Sequence, residues 1–218
     1  MMQNRIHKVT AFITRETVNG RQLLLFKHPI AGIQLPAGTV DEGEWVETAV
    51  LREVAEETGL QQVRIIRKVG IIENELAANE LILTQDLQIL FKPHADALPF
   101  RRMLTRGVTV QHEGEEGDFT KISYLEHDRL PNPTAITFQM IGFVPHEAVS
   151  SQKTRHFFHL DCWEEGACPR EGVGAVSWTL QSDHGYTYAP FWTSLIPKPT
   201  LVTGQNRWLD FVYDKLIV

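Results

Sequence analysis

Apolar and polar positions change their period several times along the chain, and each change marks an element. Val9 to Thr14 and Leu23 to Lys27 alternate or run apolar, as strands do, and Ile33 to Pro36 reads as a shorter one. A helical stretch over 41–59 follows, with its first turn near Glu44 and its stop at Gly59, a residue suited to the left-handed cap position. Val63 to Ile72 alternates again. Glu73 to Glu80 reads as a short helix and Leu81 to Phe91 as one strand. Gly107 to Glu113 and Phe119 to Leu125 flank Gly114 to Asp118, a hairpin turn; Pro131 and Pro133 mark a loop, and Ile136 to Val144 is apolar. Arg155 to Leu160 has the character of a core strand, and Ala175 to Leu180 and Tyr186 to Leu195 read as the last strands. Thr203 is placed to cap a final helix over 204–216 that buries Trp208, Phe211, Val212 and Leu216.

The helix ending at Gly59 carries an energetic oddity. Glu53, Glu56 and Glu57 fall within an arc of about 100° on one turn. Like charges at those spacings cost a few tenths of a kcal/mol per pair. Hard oxygen donors at that density suit Mg²⁺ or Mn²⁺. A bend at Gly38, just upstream, leaves a backbone carbonyl available as a further ligand. The bland reading is a solvated charged face with i,i+4 pairs, of which Arg52 and Glu56 are one. It explains the charges but not the glycines at both ends.

From Gly38 to Leu60 the chain reads GTVDEGEWVETAVLREVAEETGL. This resembles the Nudix hydrolase pattern G-x5-E-x7-R-E-U-x-E-E-x-G-U, with U a bulky apolar residue. Gly38, Glu44, Arg52, Glu53, Val54, Glu56, Glu57, Gly59 and Leu60 fill every fixed position. The resemblance implies an α/β fold, an α/β/α sandwich around a mixed sheet. On that reading 1–218 is a single Nudix domain with a β-rich insertion over 74–152.

Composition narrows the picture further. The chain has 218 residues, 43% hydrophobic and 22% charged, enough for a substantial core. A net charge of −6 with no basic run argues against a grip on duplex nucleic acid. No stretch approaches the ~20 apolar residues of a membrane span, and no signal-peptide pattern opens the chain. Cys162 and Cys168 fit a reducing compartment better than a disulfide framework, so a cytoplasmic setting is expected. A homodimer stays open.

His156, His159, Cys162 and Cys168 could suggest zinc. On a strand, however, the two histidines face opposite sides, and His156 and Cys162 stand roughly 20 Å apart. Glu164, Glu165, Asp183 and His184 lie in late loops where an extra acid or base could sit. His184 is preferred because imidazole exchanges a proton near neutral pH. The tryptophans, Phe191, Tyr186 and Tyr188 could stack a base or simply fill the core.

The resemblance implies water attack on phosphorus in a nucleoside diphosphate linked to another moiety, with Mg²⁺ or Mn²⁺ as cofactor. Glu53, Glu56, Glu57 and the Gly38 carbonyl are the candidate metal ligands. Glu53, Glu56, Arg52 and His184 are the candidate catalytic set, with Arg52 holding a glutamate, Glu44 for instance, and not touching substrate. Which glutamate takes the proton is open. The markers of the ADP-ribose, dinucleoside polyphosphate and coenzyme A subgroups are absent; Glu75 to Ala78 occupy the window of the first two. The alternative on the same fold is a nucleotide-binding sensor or regulator without turnover. A prenyl diphosphate isomerase is disfavoured, because no cysteine precedes residue 162.

Overall fold

The computed structural model describes residues 5–28, 30–128, 130, 132–162 and 189–217. These run through β1 (Ile6–Thr17), β2 (Gly20–His28), β3 (Gly32–Gln34), β4 (Ala37–Thr39), α1 (Val46–Thr58) and β5 (Val63–Glu73). There follow β6 (Glu80–Leu83), β7 (Leu87–Leu90), β8 (Pro99–Leu104), β9 (Thr109–Glu116), β10 (Phe119–His127) and β11 (Ile136–Pro145). A 3₁₀ turn (His146–Ala148), β12 (Val149–Ser150), β13 (Lys153–Cys162), β14 (Ala189–Ser194) and α2 (Thr203–Leu216) complete the order. Two α-helices occur among the described residues, α1 packing on the Phe158 side of β13 and α2 on its Phe157 side, so the class is α/β.

The described residues fall into two compact units. The first is drawn from 9–71, 129–132 and 156–218. Its sheet has the order β14-β2-β1-β13-β5, with β3 on β2 and β4 on β1. β1 carries alternating large side chains to both faces. Val9, Ala11 and Ile13 join Leu24, Phe158, Leu160 and Trp192 in one core, and the inner face of α1, namely Ala49, Val50 and Val54, closes over it. Burying each of the larger side chains stabilises the fold by about 1.5–3 kcal/mol. That core, not helix propensity, holds the acidic helix in place.

The second unit is drawn from 1–8, 72–128 and 133–155. Its sheet, β12-β6-β9-β10-β11-β7-β8, is antiparallel at every neighbouring pair. The expected β9–β10 hairpin is present, tightened to the two residues Gly117 and Asp118 between Glu116 and Phe119. Gly117 supplies the positive φ, 59°, that the turn requires.

Several expectations need correction. Glu73 to Glu80 is not helical: β5 runs on to Glu73, and Asn74 turns the chain at φ 53°. The cause is tertiary. The Glu75 N–H donates to the Lys153 carbonyl at 3.1 Å, and its carboxylate accepts from Arg155 Nε at 2.8 and 2.9 Å. Leu81 to Phe91 is two strands, because Thr84 N–H goes to the Ala148 carbonyl and Asp86 accepts the Arg106 N–H. α2 begins at Thr203 with Val202 at the cap position. Val212 and Leu216 are fully buried, but Phe211 is 47% exposed. Its ring lies over Gly70, where a Cβ would come within 2.4 Å of it. The expected pair of reduced cysteines includes Cys168, which lies outside the described residues. No helix among the described residues is long and apolar enough to cross a membrane.

Candidate functional site

α1 presents its charged face beside β4. The helix stops where expected: Gly59 adopts φ 73° and its N–H donates to the Ala55 carbonyl at 2.9 Å. It starts at Val46, two residues later than Glu44, with Trp45 at the N-cap and no side-chain cap bond.

Arg52 is the hub of the acidic face. Its Nε and one terminal nitrogen donate to the two carboxylate oxygens of Glu44, each at 3.0 Å. The other terminal nitrogen donates to Glu53 at 2.9 Å and Glu56 at 3.1 Å. A further bond runs to the Thr39 carbonyl at 2.9 Å. The planar fork thus fixes three glutamates, relieves the repulsion along the turn and ties α1 to β4. Glu44 also accepts the Asp41 N–H at 2.9 Å. The Arg52 hydrogen bond holds the Glu44 carboxyl below the usual range, against the opposing effect of burial. In return, Glu44 drives the Arg52 pKa up.

Gly38 does not occupy the bend expected of it. It sits within β4, not at a bend; the positive φ in this region belongs to Gly43, at 76°. What matters is the missing side chain. A Cβ at Gly38 would fall 1.8 Å from the Glu53 carboxyl carbon. The carboxylate of Glu53 therefore lies directly against the β4 backbone. Next to it, the Ala37 N–H donates to Glu57 Oε2 at 2.8 Å. The backbone of one short strand thus cradles two of the three glutamates.

This donor set has the chemistry of a hard divalent-cation site: three carboxylates on one turn, two of them against backbone at Gly38 and Ala37. Among the described residues, though, no three acidic, histidine or cysteine side chains are gathered into a metal-holding group. Glu44, Glu53 and Glu56 are collected about Arg52 instead, and Glu57 is held by the Ala37 N–H. The space left by Gly38 admits a carboxylate oxygen donor against the β4 backbone.

The NUDIX domain model matches residues 6–146, about two thirds of the chain. The chain belongs to the Nudix family. No curated protein matches it. Among solved structures, the Nudix domain of Shewanella oneidensis NrtR, crystallised with ADP ribose, is similar at 10% identity and TM-score 0.45, covering 99% of this chain and 90% of that one. A C. elegans Ap4A hydrolase is similar at 14% identity and TM-score 0.35, covering 97% and 88% respectively. Both likenesses are too distant to bear on the activity or ligand of this Nudix chain.

Of the residues singled out from sequence, Arg52, Glu44, Glu53, Glu56, Glu57 and Gly38 share this one face. Glu164, Glu165, Asp183, His184, Tyr186 and Tyr188 lie outside the described residues. His156 and His159 are both buried on β13, at 7% and 5% exposure. His159 Nε2 is 2.8 Å from Thr14 Oγ1. Burial and the charges of Arg21 and Arg67 depress its pKa to about 4. It is a core residue of this Nudix fold, in keeping with the strand reading. Sequence reasoning missed the Thr39 carbonyl and the Ala37 N–H, since backbone groups leave no residue signature.

Proposed function

We propose that this Nudix chain is a divalent-metal-dependent hydrolase acting on a nucleoside diphosphate linked to a further moiety. The observation that carries the reading is the Gly38–Glu53 contact, in which a glycine leaves room for a carboxylate against backbone beside two further glutamates. A purely structural charged helix has no use for that space.

In this reading Glu56 and Glu57, with Glu53 and the Gly38 carbonyl, hold Mg²⁺ or Mn²⁺. The ion, when bound, neutralises charge on the diphosphate oxygens and favours ionisation of water. Arg52 is a positioning residue. Its bidentate hold on Glu44 anchors it, and its remaining nitrogen sets the angle of Glu53 and Glu56. One box glutamate, Glu53 or Glu56, takes the proton of the attacking water. The new P–O bond forms as the bridging P–O bond breaks. The products are a nucleoside monophosphate and the phosphorylated remainder, or the equivalent pair if the other phosphorus is attacked. We assign His184 as a supplementary acid or base, tested by the pH profile of His184→Ala: unchanged kcat across pH removes it from the mechanism.

The decisive experiment is a panel of nucleoside diphosphate compounds with Mg²⁺ or Mn²⁺, run with wild type and Glu57→Gln. Turnover of at least one compound, lost in the variant, is expected. Tight binding across the panel with no turnover would replace the hydrolase reading with a nucleotide sensor.

A further inference from the structure

Trp45 stands out against every local preference. Of the described tryptophans and phenylalanines none is more exposed: 78%, against 55% for Phe91 and 47% for Phe211. It occupies the N-cap of α1, a position where Ser, Thr, Asp or Asn would satisfy an orphan N–H, and it makes no cap bond. One residue thus leaves a helix end uncapped and leaves an indole in water. Neither choice helps the fold. Local rules broken together without compensation are a mark of a functional position.

Its place on the helix says what it could serve. At about 100° per residue, position 45 projects between positions 52 and 56, about 20° from each. It stands about 12 Å from Glu53 along the axis. Position 45 therefore projects along the same line as Arg52 and Glu56, at an axial span from the carboxylates comparable to a nucleoside diphosphate. Its surroundings select which end of such a molecule can lie there. Asp41, Glu42 and Glu47 are exposed nearby, so the anionic phosphates are repelled and the neutral planar base is not.

We propose that Trp45 is the stacking surface for the base of the nucleotide, with the diphosphate lying toward Glu53, Glu56 and Glu57. The proposal rests on the hydrolase reading and adds to it the residue against which the base of the substrate lies. Base–aromatic stacking is worth enough to shift affinity about tenfold.

The test is calorimetric titration, in Mg²⁺, of the α,β-methylene analogue of ADP and of methylenediphosphonate, neither of which has a cleavable bridging oxygen. Trp45→Ala is expected to weaken the ADP analogue about tenfold and methylenediphosphonate less than about twofold, while Trp45→Phe retains most of the affinity. Trp45 has no cap bond to lose, so thermal unfolding of both variants should match wild type, which separates binding from folding. Equal losses for both probes, or none for the ADP analogue, overturn the proposal and leave the hydrolase reading in place. Unchanged affinity with a dimer-to-monomer shift in Trp45→Ala also overturns it and assigns the indole to a second copy of the chain. If wild type binds neither probe and turns over no compound of the panel, the hydrolase reading fails and the stacking role falls with it.

Discussion

The carboxyl carbon of Glu53 lies where the Cβ of any residue but glycine at position 38 would have to be, 1.8 Å from that point. The φ of Gly38 is not in the left-handed region, so the constraint is one of space alone. Gly38→Ala should therefore fold, with a destabilisation of about 1–3 kcal/mol from overpacking. Its kcat should drop by about a hundredfold or more, because the displaced carboxylate loses its alignment. Hydrolysis rates and Mg²⁺ titration, run beside denaturant unfolding, check both halves.

Arg52 tests the distinction between charge and geometry. Arg52→Lys keeps the charge but has one nitrogen where the fork uses three against Glu44, Glu53, Glu56 and Thr39. We expect a loss of stability on the order of 2–3 kcal/mol in urea unfolding, because Glu44 and Glu53 are largely buried at 13% exposure. A further expectation is a fall in kcat larger than any change in KM. Wild-type stability in the lysine variant would show that the fork is ornamental.

Glu75 is clamped by Arg155 and Lys153 in a pocket where all three side chains are 12% exposed or less. Burial alone would raise its pKa; the two cations, Arg155 foremost, outweigh it and lower the pKa. Glu75→Gln leaves two cations without their counter-charge and should cost about 3–5 kcal/mol. Glu75→Gln combined with Arg155→Met should recover part of that loss. A double-mutant cycle by thermal unfolding measures the coupling; additive losses would mean that the pair is not coupled.

His159 makes stability depend on pH. Its folded pKa of about 4 lies below its ordinary 6.5, so between those values the unfolded chain binds more protons than the folded one. Stability is then fully present above about pH 6.5, falls on acidification toward about pH 4, and levels off below that for this group. The loss should be on the order of 3 kcal/mol. His159→Gln should flatten that window. Glu44 and Glu75, both held below their ordinary pKa, have the same sign but act at lower pH, where carboxylates titrate. An unchanged pH profile in His159→Gln, followed by chemical denaturation from pH 4 to 7, would remove His159 as the cause.

At Trp45 function and stability should pull apart. Trp45→Ser supplies the missing cap and should add about 1 kcal/mol, raising Tm by about 2–4 °C. If the indole stacks the base, affinity for the ADP analogue falls in the same variant. A gain in Tm without any loss of nucleotide affinity would make Trp45 a mere blemish of the helix.

The acidic helix, its end at Gly59, its wedge of Arg52 among glutamates and the strands around it were legible in the residue pattern, because each depends on neighbours within a few positions. Helical period, a left-handed cap and i,i+4 charge pairs are local physics. What the pattern alone could not decide lay in contacts between distant residues. Glu73 to Glu80 has the composition of a helix, but Glu75 is drawn out of it by Arg155, 80 positions away. Leu81 to Phe91 looks continuous, but backbone partners at Ala148 and Arg106 cut it in two. Gly38 was recognisable by its spacing from Glu53, while the reason for it, a carboxylate lying against strand backbone, exists only once β4 and α1 are side by side. The residue types therefore determined which groups are candidates for the chemistry, and tertiary packing decided how those groups are held, because their orientation depends on backbone and charges that the chain brings together only on folding.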